Sequence, residues 1–291
     1  MDTIGASELI ITPEGRIYHI DLLPKELAQT VITVGDPGRV VEVSKHFDKI
    51  ESKASHREFV SHTGMLGKKR ITVLSSGIGP DNIDISLNEL DACVNIDFNT
   101  RTIKKEFTQL DIIRLGTSGS LQADIPVDSL VASTHGIGLD NLMHYYQITY
   151  TPDERKMAKA FAKHSGLDNS PLVPYAVQGS DELLSFFKDG YQHGITVTCP
   201  GFYAPQGRVV KAALQFPNLV DSLSSFQYKG QRITNFEMET SAIFGLGKVF
   251  GHRCLSINTI IANRQDKSFS KDAKAAVENM IIKSLEIIEK I

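Results

Sequence analysis

Cysteine is scarce: three residues, Cys93, Cys199 and Cys254, lie far apart among 291. No CxxC or paired His spacing accompanies them, so neither a disulfide framework nor a structural zinc site is expected, and all three read as buried thiols. Long apolar runs are missing too. No stretch approaches the 18 or so consecutive apolar residues of a membrane span, and Met1 to Thr12 has neither a basic start nor a long apolar core. The chain is therefore expected in the cytoplasm. Lys+Arg number 31 against 34 Asp+Glu, a formal charge of −3, without a basic block. Such a chain has no field to collect nucleic acid or an anionic membrane, so any phosphate chemistry must be locally arranged. Internal repeats, low-complexity tracts and linkers are absent as well, and neither GxGxxG nor GxxxxGK[ST] occurs.

What remains is ordinary globular composition, 41% hydrophobic and 22% charged, which predicts one large core. Short β-rich runs recur at 30–34, 70–74, 111–115, 128–132, 194–198, 232–236 and 255–261, mostly apolar without clean alternation, as in strands buried on both faces. Helical patterns lie between several of them. One runs from Ile85 to Ile96, another from Asp153 to His164. The last places Ala273, Ala276, Val277, Met280, Ile281 and Ile288 on one face. Alternating strands and helices predict a three-layer α/β domain with a parallel or mixed sheet. Residues 136–190 are the least legible part and read as an insertion over one sheet edge.

Four strands end in Gly-rich or charged turns: GDPGR (35–39), SSGIGP (75–80), RLGTSGS (114–120) and NFEMET (235–240). Ligands of open α/β sheets collect outside strand ends, so these turns are expected to meet in one cleft. Arg39, Arg57 and Arg114 stand at the edges of apolar runs, where a buried guanidinium needs an anionic partner. With Thr117 and turn amides they would suit a phosphate dianion. The same arginines could equally pair with Asp36, Glu58 or Asp111. In FYAPQGR, Gln206 and Arg208 offer donors and an acceptor that match a planar ring carrying carbonyls and an N–H, with Phe202 to stack on it, although the flanking Pro and Gly slightly favour a surface turn. Of Glu237 and Glu239, at the end of their strand, only one is expected to face the cleft, the other being structural. They are not a glycosidase pair.

In this order, GDPGR, SHREF, SSGIGP, RLGTSGS, FYAPQGR, NFEMETSAIFG and IIANR resemble the nucleoside phosphorylases of the purine nucleoside phosphorylase and uridine phosphorylase superfamily, and its uridine branch most closely. The resemblance runs from about Tyr18 to the C-terminal helix. It implies a three-layer αβα sandwich around a mixed, partly barrel-like sheet, spanning 1–291 as a single domain. The implied activity is reversible phosphorolysis of uridine to uracil and ribose 1-phosphate, without organic cofactor or metal.

By position, Gly35, Arg39, Arg114 and Thr117 would bind phosphate, and Arg57 would reach the phosphate of a neighbouring subunit. His19 would cross to the ribose 5′-hydroxyl. Met238 and Glu239 would hold the ribose, and Phe202, Gln206 and Arg208 the uracil. Arg264 stands where a purine enzyme would place an acid, and would position Arg208 or polarise the base; Arg114, Arg208 and Arg264 are thus the expected catalytic set. A homodimer with shared sites, or a hexamer of three such dimers, follows from the resemblance, with a monovalent cation near Glu58. The readings weighed against this one are a purine phosphorylase, a nucleosidase and a non-catalytic nucleoside-binding protein.

Overall fold

The computed structural model describes residues 3–291. Its strands are β1 (Thr30–Val34), β2 (Lys49–His56), β3 (Phe59–Leu66), β4 (Lys69–Ser75), β5 (Ile96–Asp97), β6 (Thr102–Ile103), β7 (Asp111–Ser120), β8 (Leu130–Gly138), β9 (Tyr175–Gln178), β10 (Tyr191–Thr198), β11 (Gln227–Tyr228), β12 (Gln231–Glu237) and β13 (Arg253–Asn263). The helices are α1 (Pro37–Ser44), α2 (Pro80–Asn95), α3 (Pro152–His164), α4 (Asp181–Leu184), α5 (Leu219–Ser225), α6 (Thr240–Phe250) and α7 (Ala273–Ile288). All seven expected strands and all three expected helices are present.

The main sheet runs β11-β12-β10-β8-β13-β7-β1-β4-β3-β2, with β9 beside β8. A further antiparallel pairing of Asn235 with Ser120 and Phe236 with Gly119 joins β12 to β7. That link closes β12, β10, β8, β13 and β7 into a five-stranded barrel, from which β1, β4, β3 and β2 extend as an open wing. β1, β4, β7 and β13 run together, while β8 runs against β13 and β12 against β7.

Alternation along the central strands sends side chains to both faces of the sheet. Val31 and Ile112 join Ile83, Leu87, Ile243 and Phe244 of α2 and α6. Ile32, Val34, Ile113 and Leu115 join Val40 and Val43 of α1 with Met280, Ile281 and Leu285 of α7. These two cores make the three-layer αβα sandwich. A third gathers Ile195, Val197, Ile233 and Phe236 of the barrel against Met157 and Phe161 of α3 and Leu219 and Leu223 of α5. Segment 136–190 thus carries the end of β8, the helix α3 that covers the barrel, and β9.

The β2–β3 hairpin escapes periodicity. β2 is largely polar and partly exposed, while β3 buries Ser61, His62 and Thr63. Thr63 Oγ1 meets Thr72 Oγ1 at 2.7 Å and His62 Nδ1 meets Ser44 Oγ at 2.7 Å. Hydrogen bonding offsets the burial of these groups, and no apolar pattern announces it.

Candidate active site

A cleft of about 570 Å³ opens where β1, β7, β12 and β13 end. All four turns reach it: Gly35 and Arg39, Ile78, Arg114 with Thr117, and Glu237 to Glu239. Phe202, Gln206 and Arg208 line its other end, with Phe236, Ile261 and Ala262 between. Ile78, Phe202 and Phe269, each more than half exposed, form an apolar rim.

Arg114 is 5% exposed. Its side chain leaves β7 on the face opposite Ile113 and Leu115 and lies over Gly116, where a Cβ would come within 1.9 Å of Nη1. A side chain at Gly116 would push the Arg114 guanidinium off its partners. Nη2 donates to Glu239 Oε2 at 2.6 Å and lies 3.2 Å from Glu237 Oε2, while Nη1 donates to Asn258 Oδ1 at 2.6 Å. Burial alone would lower the Arg114 pKa, but Glu237 and Glu239 more than offset it and raise it. Burial raises the pKa of Glu239 above the usual carboxylate value, against the pull of Arg114.

The expectation that one carboxylate alone enters the cleft is corrected: both line it and both touch Arg114. Residues two apart on a strand share a face, and both carboxylates keep to the Arg114 side although β12 stops at Glu237 and Glu239 turns to φ −139, ψ −27. Their roles still differ. Glu237 accepts from Thr198 Oγ1 at 2.8 Å and from the amides of Glu239 and Thr240 at 3.0 Å, which caps the first turn of α6. Glu239 takes only Arg114 and the Gly79 amide, 2.8 Å away, so acceptor capacity remains towards the cleft. Gly79 itself sits at φ +92, a conformation that calls for glycine.

Arg39 contrasts with Arg114. Among the described residues its guanidinium has no hydrogen-bond or ion-pair partner. Burial first, then the neighbouring Arg114 charge, pull its pKa down, against Asp36 and Glu239. The pairings with Asp36, Glu58 and Asp111 do not form. Asp36 caps α1 through the Gly38 amide at 2.9 Å, and Asp111 holds Arg253 at 2.6 and 2.7 Å. A half-buried cation without an internal partner, on the wall of a cleft, has its hydrogen-bond donors free for an anion.

At the far end Arg208 stacks 3.8 Å over the Phe202 ring and donates to Phe202 O at 2.7 Å and Gln206 Oε1 at 2.6 Å. That bond fixes the Gln206 amide and leaves its NH₂ as donor. Burial, then the charge of Arg264, lower the Arg208 pKa. Arg264 does not line the cleft; it donates to Gln206 O at 3.0 Å and so holds the loop from behind. His19 and Arg57 do not line it either. They share a separate corner, where Tyr18 lies 4.8 Å from His19 and 5.9 Å beneath Arg57, and Glu89 holds His19 Nδ1 at 2.6 Å.

Residues 29–290 match the profile of the phosphorylase superfamily. The chain belongs to this superfamily. It is 30% identical over 264 residues to the uridine phosphorylase of Thermococcus kodakarensis, covering 89% of this chain and 82% of that one. It is 24% identical over 271 residues to a purine nucleoside phosphorylase of Listeria monocytogenes, covering 92% and 97%. Among solved structures, a Trypanosoma brucei nucleoside phosphorylase described as showing uridine phosphorylase activity superposes with a TM-score of 0.89 at 30% identity, over 97% of this chain and all of that one.

Sequence reasoning overlooked three site features of this phosphorylase-superfamily chain. Asn258 and Glu237 fix Arg114, Phe269 completes the rim, and Ser118 presents a hydroxyl to the cleft. A signal existed for Ser118, since it lies four residues beyond Arg114 on the same face of β7.

Proposed function

We infer that this cleft performs reversible phosphorolysis of uridine to uracil and ribose 1-phosphate. The observation that carries the reading is the unpaired Arg39 facing Thr117 and Arg114 across one cleft from Gln206 and Arg208, with Met238 and Glu239 between. Cleavage of the C1′–N1 bond builds positive charge on the ribose and negative charge on the departing base. Phosphate held by Arg39, Thr117, Arg114 and the Gly35 turn would meet the first. Gln206 and Arg208 would meet the second while Glu239 accepts from ribose hydroxyls. Holding all three partners in one orientation supplies the remaining advantage.

The carboxylates lining the cleft, Asp36, Glu237 and Glu239, belong to its phosphate and ribose part, so no acid stands ready to protonate a purine ring nitrogen. This favours a pyrimidine. In this reading His19 and Arg57 serve the cleft of a second copy in a homodimer, with a monovalent cation near Glu58 and no organic cofactor. A cytoplasmic site of action goes with the three free, buried thiols.

The test is base release by purified protein from uridine and from inosine, with and without inorganic phosphate. Uracil should appear only from uridine and only with phosphate. Release in water alone would make the protein a hydrolase, and release from inosine alone would overturn the assignment of Gln206 and Arg208.

A further inference from the structure

Ser118 is 8% exposed and lines the cleft between Thr117 and Gly119. Its oxygen accepts from Asn235 Nδ2 at 2.8 Å. Asn235 is fully buried, and its Oδ1 accepts from Thr196 Oγ1 at 2.8 Å and Thr234 Oγ1 at 2.9 Å. Thr196 has then used its hydrogen, so the 2.6 Å contact with Ser133 Oγ is a donation from Ser133. The chain Ser133, Thr196, Asn235, Ser118 crosses β8, β10, β12 and β7 in turn. Thr196 and Asn235 are register partners, and the last link spans the pairing that closes the barrel.

The direction of this chain is set by accounting for hydrogens. With the Asn235 amide reversed, Thr196 would donate to Ser133, and the fully buried Ser133 would hold a hydroxyl hydrogen without an acceptor. An unmade buried donor is costly, so the chain points the other way. In that direction the hydroxyl hydrogens of Ser133 and Thr196 are satisfied within the protein, and that of Ser118 is free at the cleft wall. Hydrogen bonds in series polarise one another, which makes this last hydroxyl a stronger donor.

We propose that Ser118 is a catalytic hydrogen-bond donor to the departing base, with Asn235 as the residue that positions and polarises it. The proposal rests on the phosphorolysis reading. When the C1′–N1 bond breaks, its electron pair stays with the base and delocalises onto the ring carbonyls, while a phosphate oxygen forms the new bond to C1′. Ser118 donates a hydrogen bond to that growing charge and keeps its proton throughout.

Steady-state kinetics of four variants decide the matter. Ser118→Ala should lower kcat about 10- to 100-fold, the worth of one hydrogen bond to a charged group, with the phosphate KM unchanged. Ser118→Thr keeps the hydroxyl and should keep most of the activity. Asn235→Ala should lower kcat by less, and the double variant should be hardly worse than Ser118→Ala alone. With 5-fluorouridine, whose base leaves as a more stable anion, the Ser118→Ala loss should shrink. A loss in phosphate KM instead, an equal loss on uridine and 5-fluorouridine, or an undiminished Asn235→Ala loss in the Ser118→Ala background would overturn the proposal. The Ser118 variants alone suffice if Asn235→Ala fails to fold. If the wild-type protein releases no uracil with phosphate present, the phosphorolysis reading itself fails; if it does and Ser118→Ala matches it, only the role of Ser118 falls.

Discussion

Two arginines that line one cleft carry opposite burdens. Arg114 neutralises two buried carboxylates, whereas Arg39 is desolvated without a partner. Removing one member of a buried ion pair strands the others, at a cost of about 3–5 kcal/mol. Arg114→Ala should therefore lose phosphate binding and also lower Tm by about 5–10 °C. Arg39→Ala should raise the phosphate KM about 10- to 100-fold yet leave Tm within a degree or two, since it removes no internal bond. Thermal unfolding beside phosphate titration checks both; equal Tm losses would mean that Arg39 has a structural partner. At the base end, Arg208→Ala should raise the uridine KM and spare that for phosphate, with Arg264→Ala a weaker copy because it acts through the Gln206 carbonyl. The reverse pattern would exchange the two ends of the site. Arg39 and Arg114 were legible because a guanidinium at the edge of an apolar run demands a partner, whereas Gln206 and Arg208 in FYAPQGR read locally as a surface turn. The joint use of Glu237 and Glu239 was open to reading from the sequence, since residues two apart on a strand share a face.

Strands that alternate with helices were legible from apolar runs, while the β2–β3 hairpin and the content of 136–190 were not. What the latter segment supplies lies under the site. Asp140 accepts from Tyr175 Oη at 2.8 Å, from Ser241 Oγ at 3.2 Å and from the Leu142 amide at 2.9 Å. Ser241 in turn gives its amide to Thr198 Oγ1, which donates to Glu237. Burial raises the Asp140 pKa, although these three donors pull it down. A carboxyl whose folded value lies above its unfolded one favours the folded state at low pH, and that contribution is lost as pH climbs from about 4 through the raised value. Asp140→Asn has no such loss. Its Tm relative to wild type should therefore be more favourable at pH 7.5 than at pH 4.5. A difference independent of pH would mean that the hydrogen bonds compensate the buried charge in full.

At the scale of the whole molecule, barrel closure through β12 and β7 joins residues more than a hundred positions apart, and no local pattern encodes such a pairing. The same scale governs His19 and Arg57, which the fold brings to one corner and holds off the cleft of their own chain. Arg57 is exposed at φ +55 in the β2–β3 turn, over Tyr18. An exposed cation on a closed hairpin, beside a histidine whose Nδ1 is already held, is presented outwards. If a second copy uses it, Arg57→Ala should impair the partner's cleft, while Glu239→Ala impairs its own. Subunits carrying one change each, expressed together, then pair so that half of the dimers are mixed, and each mixed dimer holds one site with neither defect. About one quarter of wild-type sites should return in the co-expressed mixture, and about one half in mixed dimers isolated from it. The measurement is phosphorolysis by mixed dimers, purified through two different tags, against each parent. Activity no higher than the mean of the parents would make the site complete within one chain, and full activity of Arg57→Ala alone would remove Arg57 from it.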